Sequence, residues 1–390
     1  MANKRVAYVV NHVAFFVSHR LPLAIGARRS GFGVCVLTGQ AGSREMERIA
    51  KAQLQAAGLE HRRAIFSSAG MNPFIELLGV LQLVWFMLRY KPAVVHCASP
   101  KGVLYGGIAA RLARVPGLVL AISGMGYAFT QGAGQGVVRV LVRRVYRLLA
   151  GFAFHHPNVR VIVQNQDDYQ SVIENGLADA RRVTLIPGSG VDLSLFDGCS
   201  PAEKARVVLL PARMLKDKGV GEFVEAARKI KAAAPDWRFV LAGTAEYDNP
   251  SAIGLAQLQA WHAEGCVDWL GHVDNMTPLY CEAAIVCLPS YREGMPKALL
   301  EAAAAACAVV TTDVTGCREA VEPGVTGDLV QALDSRSLAK SLLSLIKDEQ
   351  RRMSYGAKGQ QRAKANFSIT SVVSRTLNIY EAVLRYDQSN

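Results

Sequence analysis

The chain has 390 residues, 51% of them apolar and 19% charged, enough for more than one buried core, which excludes a disordered chain or a disulfide-knotted miniprotein. Its net charge of +12 is unevenly shared: residues 1–187 hold 22 Lys and Arg against 8 Asp and Glu, and residues 188–390 hold 22 against 24. An excess confined to the first half points there to an anionic partner (a phosphorylated substrate, nucleic acid or acidic membrane surface), with a merely solubilising surface as the plain alternative.

Short apolar strands alternate with amphipathic helices along the whole chain. A strand at 6–10 follows a basic start whose apolar run is too short for a signal peptide. Helix 21–30, strand 34–37, helix 43–57, an apolar helix within 73–90 and strand 93–96 come next. Helix 102–113, strand 118–122, helix 137–153, strand 159–163, helix 167–175 and strand 183–186 complete the first half. A turn-rich stretch from Pro187 to Pro201 reads as a linker. The rhythm then restarts with strand 207–211, helix 220–234, strand 238–242, helix 253–264, strand 267–270 and helix 276–284. Strand 285–288, helix 296–306, strand 308–312, helices 335–348 and 350–365, and a tail helix 368–386 follow.

The pattern predicts an α/β fold of two Rossmann-like, doubly wound parallel-sheet domains. They span residues 1–190 and 204–367, joined by 191–203, with a tail at 368–390 returning to the first. Open α/β sheets bind ligands at the carboxyl ends of their strands, so a cleft between two such domains is the expected site.

The best candidate for a membrane span, 77–88, covers about 18 Å as a helix, short of the roughly 30 Å of a bilayer core, and is expected not to cross. In the segment 137–149, Arg139, Arg143, Arg144 and Arg147 gather within about 140° of helical arc, as in a helix lying in a membrane interface or one with a solvated basic side. Aromatic residues interleaved with Lys and Arg are missing, as are helix-turn-helix and zinc-finger spacings, so a membrane is favoured over nucleic acid. The eight cysteines lack C-x-x-C spacing and are expected to be reduced core residues of a cytoplasmic protein.

Two motifs carry chemistry. Residues 290–301 read SYREGMPKALLE, directly after a strand. Gly294 allows a tight turn, Met295 follows it, and Pro296 suits a first helical position. The amides of Lys297 and Ala298 would then face a ligand from a helix N-terminus, ready for phosphate oxygens. Glu293 and Glu301 can bracket that ligand, although a capping carboxylate and an exposed helical Glu is the plain alternative. Residues 209–219 read LLPARMLKDKG, again between strand and helix. There Arg213 and Lys218 could neutralise a diphosphate, or be two solvated cations.

The pairing of ARMLKDKG at 212–219 with Glu, seven residues, Glu at 293–301 resembles the retaining glycosyltransferases of family four, which have the GT-B fold. Within it the chain is similar to the bacterial capsule and O-antigen subgroup. FFVSHRLPLA at 15–24, QNQDD at 164–168, PGSGVD at 187–192 and TDVTGCRE at 312–319 extend the resemblance from about residue 4 to about residue 385. It implies a nucleotide-sugar donor, a UDP-hexose or UDP-N-acetylhexosamine, with Arg213 and Lys218 on the diphosphate, Glu301 on the ribose, Glu293 on the sugar and the backbone around Val273 on the base. It also implies no metal, since no Asp-x-Asp occurs and two cations with a helix N-terminus replace Mg²⁺. Ser123 stands where many members carry a histidine, while Gly124 still permits close approach to the sugar. His19, Arg20 and Lys101 are the expected acceptor contacts. In that subgroup the acceptor is a sugar on undecaprenyl diphosphate, which implies a peripheral enzyme on the inner face of the bacterial inner membrane. An epimerase on the same fold and a non-catalytic nucleotide-sugar-binding protein are the alternatives.

Overall fold

The computed structural model describes residues 4–40, 44–67, 72–124, 137–245 and 249–388. The chain divides into two compact units, Met1–Ser189 with Val372–Asn390, and Gly190–Ser371.

Unit 1 runs β1 (Arg5–Val10), α1 (Val13–Arg29), β2 (Gly33–Gln40), α2 (Arg44–Ala56), β3 (Glu60–Ser67), α3 (Pro73–Tyr90) and β4 (Val94–Ala98). A π-helical turn at Gly102–Gly106 leads into α4 (Gly107–Leu112), then β5 (Gly117–Ile122), α5 (Val137–Phe154), β6 (Val159–Val163), α6 (Gln166–Glu174) and β7 (Val183–Leu185). The seven strands are all parallel, in the order β3-β2-β1-β4-β5-β6-β7. Alternate side chains feed two cores: Val6, Tyr8 and Val10 of β1 enter one, Ala7 and Val9 the other. This is why parallel strands read as continuous apolar runs.

Unit 2 runs β8 (Ala205–Pro211), α7 (Val220–Lys231), β9 (Arg238–Ala242), α8 (Leu255–Ala263), β10 (Asp268–Trp269), α9 (Thr277–Glu282) and β11 (Ala283–Leu288). It continues with α10 (Lys297–Ala304), β12 (Ala308–Thr312), α11 (Cys317–Ala320), β13 (Gly327–Val330), α12 (Ser335–Lys347) and α13 (Glu349–Asn366). Its six parallel strands lie in the order β10-β9-β8-β11-β12-β13, again between two cores. The last helix, α14 (Ile369–Gln388), lays Val372, Ile379, Tyr380 and Val383 into one core of unit 1.

Several expectations need correction. Strands β3 and β13 escape the sequence pattern because each is an edge strand with a single neighbour; β3, EHRRAIFS, accordingly carries charges. Helix α1 starts at Val13, eight residues before the expected position, because buried Val13 and Phe16 and the His12 cap carry it through Pro22. Pro296 caps α10 from an extended conformation and is not its first residue. Residues 191–203, expected as a linker, are stitched into unit 2: Val191 donates to Phe367 O and accepts from Ile369 N at 2.8 and 2.9 Å. Cys199 and Cys281 form a disulfide spanning 82 residues, so not all eight cysteines are reduced. The other six are free and buried. Only folding brings positions 199 and 281 together, so spacing could not reveal the pair.

The apolar helix is also longer than its uncharged run suggested. At 18 residues and mean hydropathy 1.3, α3 is long and apolar enough to cross a membrane by length and composition. Only one face is packed, with Glu76, Gly79, Val80, Leu83, Phe86 and Met87 buried. Glu76 lies on this packed face, where its carboxylate accepts from Lys101 Nζ at 2.6 Å.

Candidate active site

In unit 2 the sheet changes direction between β8 and β11: the chain winds outward from β8 through β9 to β10, then from β11 through β12 to β13. Such a switch point leaves a crevice at the carboxyl ends of the two central strands. The two motifs are the loops that leave these strands.

Those loops form one hydrogen-bonded platform. Tyr291 N donates to Asp217 O at 2.9 Å, Met214 N to Thr244 O at 2.9 Å and Glu293 N to Thr315 O at 3.1 Å. Ser251 Oγ donates to Asp217 Oδ1 at 2.6 Å. Two glycines make the close packing possible. Gly219 adopts φ 71°, and a Cβ there would lie 2.1 Å from Pro289 O; Gly316, at φ 82°, would meet Glu293 O at 2.5 Å. A side chain at either position would push the loops apart.

Lys218 Nζ forms an ion pair with Glu293 Oε1, and both side chains are largely buried. Ser290 Oγ, fully buried, donates to the same oxygen at 2.8 Å. Arg213 is exposed at the start of the β8 loop. Gly294 is half-buried beside Gly316, Met295 is buried in the core, and Ala298 occupies the first turn of α10. The amides of Lys297 and Ala298 lie in that first turn, where no intrahelical acceptor exists. Lys297 Nζ reaches Glu301 Oε1 at 3.2 Å, so the carboxylate expected on a ribose already has a cation beside it. The buried Tyr280 phenol, its acidity suppressed by burial first and then by the Glu301 charge, lies next to this pair. Val273, after β10, packs half-buried on the core. Ser290, Tyr280 and Thr315 were not singled out from sequence, although Ser290 and Thr315 lie within the motifs given above.

Unit 1 holds the remaining expected residues, and it corrects several. Gly124 follows β5 with φ 120°; Met125 to Tyr127 of that loop lie outside the described residues. His19, an expected acceptor contact, sits inside α1, stacked on Phe15 with ring centroids 4.6 Å apart. Arg20 is enclosed, 5% exposed, with Nη1 donating to His19 O at 3.0 Å. Lys101 is paired with Glu76 and so is not an unneutralised cation for an acceptor. Of the arginine stripe, Arg144 and Arg147 are exposed; the side chains of Arg139 and Arg143 lie outside the described residues. Unit 1 has its own switch point, between β1 and β4, which the sequence reading missed. There Asn11 Oδ1 accepts from Ser99 Oγ, Lys101 N and Gly102 N at 2.7, 3.0 and 3.1 Å.

Residues 19–188 match the glycosyl transferase 4-like domain, and residues 205–348 match the glycosyl transferases of group 1. The chain belongs to the family-four glycosyltransferases. It is 28% identical over 334 residues to an N,N'-diacetylbacillosaminyl-diphospho-undecaprenol alpha-1,3-N-acetylgalactosaminyltransferase of Campylobacter jejuni, covering 82% of this chain and 85% of that one. It is 24% identical to the capsular polysaccharide biosynthesis glycosyltransferase CapM of Staphylococcus aureus, covering 80% and 82%. Anabaena HepE, solved with UDP and glucose, superposes with a TM-score of 0.76 at 18% identity over 97% of this glycosyltransferase and 100% of that chain. The shared fold is GT-B.

Proposed function

We propose that this glycosyltransferase moves a hexose or N-acetylhexosamine from a UDP-sugar, with retention and without a divalent metal, to a lipid-linked oligosaccharide on undecaprenyl diphosphate in surface polysaccharide synthesis. Unit 2 takes the donor and unit 1 the acceptor. The observation that carries the reading is the convergence of Arg213, the Lys218–Glu293 pair and the α10 N-terminus on the switch point of the unit 2 sheet. Breaking the bond between sugar and diphosphate builds negative charge on the leaving nucleotide. Fixed cations and helix amides stabilise that charge in the transition state, typically one of the larger catalytic terms. Glu293, held by Lys218 and Ser290, is oriented to accept hydroxyls of the donor sugar. The departing phosphate oxygen takes the acceptor's proton, so no carboxylate nucleophile is required.

An acceptor anchored in a membrane requires the enzyme to work at the bilayer surface. Support comes from α3, whose Phe74, Leu77, Leu78, Leu81, Trp85 and Leu88 are all more than half exposed. Leu112 of α4 and Leu148 of α5 are also exposed, as are Arg144 and Arg147. Such a surface suits the anionic inner leaflet and supports the reading of a peripheral protein on the cytoplasmic side of the inner membrane.

The decisive experiment incubates the purified protein with a panel of radiolabelled UDP-sugars and a bacterial lipid extract in the presence of EDTA. Label moving into the lipid fraction in α linkage supports the proposal. Turnover of UDP-sugar without lipid labelling points to an epimerase, and binding without turnover to a sensor.

A further inference from the structure

A cavity of about 580 Å³ opens at the amino ends of the unit 1 strands, beside Lys4 before β1, Ala93 before β4 and Pro116 before β5. Its volume falls within the roughly 300–1,000 Å³ of small-molecule sites. The inner wall is apolar and fixed in place: Met87 and Val115 are buried there. Asn158 Nδ2 donates to Pro116 O and Val383 O at 3.0 and 2.9 Å, which ties α14 to the start of β5.

The rim is cationic. Among the described residues, Lys4, Lys91, Arg114 and Arg385 border the cavity, all exposed, against one carboxylate, Glu381, which pairs with Lys4 Nζ at 3.1 Å. Helix ends attract cations on their own account. That does not suffice here, because the Tyr90 carbonyl at the end of α3 already accepts from Arg5 Nη1 at 2.7 Å. Lys91 and Arg114 follow α3 and α4 at φ 49° and 51°, left-handed backbone that glycine ordinarily takes after a helix. Each position carries a long cation although its backbone disfavours a side chain.

The lining also narrows the ligand. Among the described residues it offers no aromatic ring, hydroxyl or side-chain amide, the groups that orient a nucleobase or a sugar. Cations around apolar walls suit a molecule with an anionic head and a hydrocarbon tail. Leu88 lines the cavity, is 55% exposed and belongs to the apolar face of α3, so the cavity is continuous with the surface read as facing the membrane.

We propose that this cavity binds an anionic phospholipid, with its phosphate among Lys91, Arg114 and Arg385 and its first acyl carbons on Met87, Leu88 and Leu384. The inference rests on the reading of a peripheral enzyme at the inner leaflet and gives that enzyme a specific lipid contact, separate from the donor platform.

The test titrates the full-length protein with dihexanoyl phosphatidylglycerol, below its micellar concentration, and follows binding by calorimetry. One equivalent is expected to bind, about 10-fold tighter than dihexanoyl phosphatidylcholine, whose choline meets the cationic rim, or inorganic phosphate, which lacks the tail. Lys91→Gly with Arg114→Gly removes two charges where glycine suits the backbone, so folding is expected to hold. Affinity for the anionic lipid is then expected to fall at least ~10-fold. Absent binding, equal affinity for the two lipids, or unchanged binding in the double variant overturns the proposal. Phosphate bound as tightly as the lipid overturns it too, and marks a site for the free ion. Short-chain lipid needs no bilayer, so failure here leaves the membrane reading to vesicle co-sedimentation; loss of co-sedimentation alone strikes that reading and not the cavity.

Discussion

The Lys218 ammonium rests on the Glu293 carboxylate, joining loops that leave two neighbouring strands 75 residues apart in sequence. In the proposed function this pair ties the expected diphosphate contact to the expected sugar contact. Lys218→Met removes the cation and leaves the carboxylate on Ser290 alone. Turnover is expected to fall about 100-fold. Unit 2 is expected to lose about 1–2 kcal/mol in denaturant titration, reflecting a largely buried carboxylate without its cation.

Arg213 is exposed, so its removal isolates catalysis from folding. Arg213→Ala is expected to lower turnover at least ~100-fold, a loss of about 2.7 kcal/mol of charge stabilisation, with an unchanged melting temperature. Unaltered kinetics would remove this residue from the diphosphate.

Gly219 is required by conformation and by space together. Gly219→Ala places a methyl group against Pro289 O in a left-handed backbone. The expected cost is about 2–4 kcal/mol from strain and overpacking. Activity is expected to fall further than stability, because the displaced loops carry Lys218 and Glu293. Chemical denaturation and steady-state kinetics, run side by side, separate the two effects.

Helix α3 offers a test of the membrane surface. Leu78→Glu with Trp85→Glu changes two exposed side chains, so folding is expected to survive. Each buried apolar side chain contributes about 1.5–3 kcal/mol on transfer from water. Co-sedimentation with phosphatidylglycerol vesicles is therefore expected to weaken more than ~10-fold, while transfer to a detergent-soluble acceptor analogue persists. Retained vesicle binding would assign the membrane surface to another face.

His96 gives unit 1 a pH dependence. Burial first, and the Arg20 charge second, push its imidazole well below the usual 6.5. Folding therefore selects the neutral ring. The stability this confers is present above the unfolded pKa of about 6.5 and is lost as the pH falls toward the depressed folded value. His156, also lowered by burial, adds in the same direction. Unfolding free energy is expected to decline by up to about 1.4 kcal/mol per pH unit for His96 below pH 6.5, with a smaller share from His156. His96→Gln is expected to flatten part of that slope in denaturant titrations at pH 7, 6 and 5.

Much of the unit 2 platform was legible beforehand because it is built locally. A strand, a glycine turn and a helix start are set by neighbours in the chain, so the loops bearing Arg213, Lys218, Glu293 and Lys297 could be placed from residue order. Ser290 was quoted within its motif, yet its bond to Glu293 was not foreseen, since a serine's partner depends on the turn's three-dimensional path. The acceptor-side expectations fared differently. His19 and Arg20 share a motif, but helix α1 carries one onto Phe15 and encloses the other.

The sequence by itself determined the alternation of strands and helices, the confinement of positive charge to the first half and the two loops that bear the cations, because these follow from short-range periodicity and composition. Tertiary structure alone decided that Lys218 meets Glu293, that Cys199 meets Cys281, that one side of an evenly apolar α3 stays exposed, and that Arg20 is enclosed with His96. Each of these joins segments far apart in the chain, or separates two faces of one helix, and packing decides such relations where periodicity cannot.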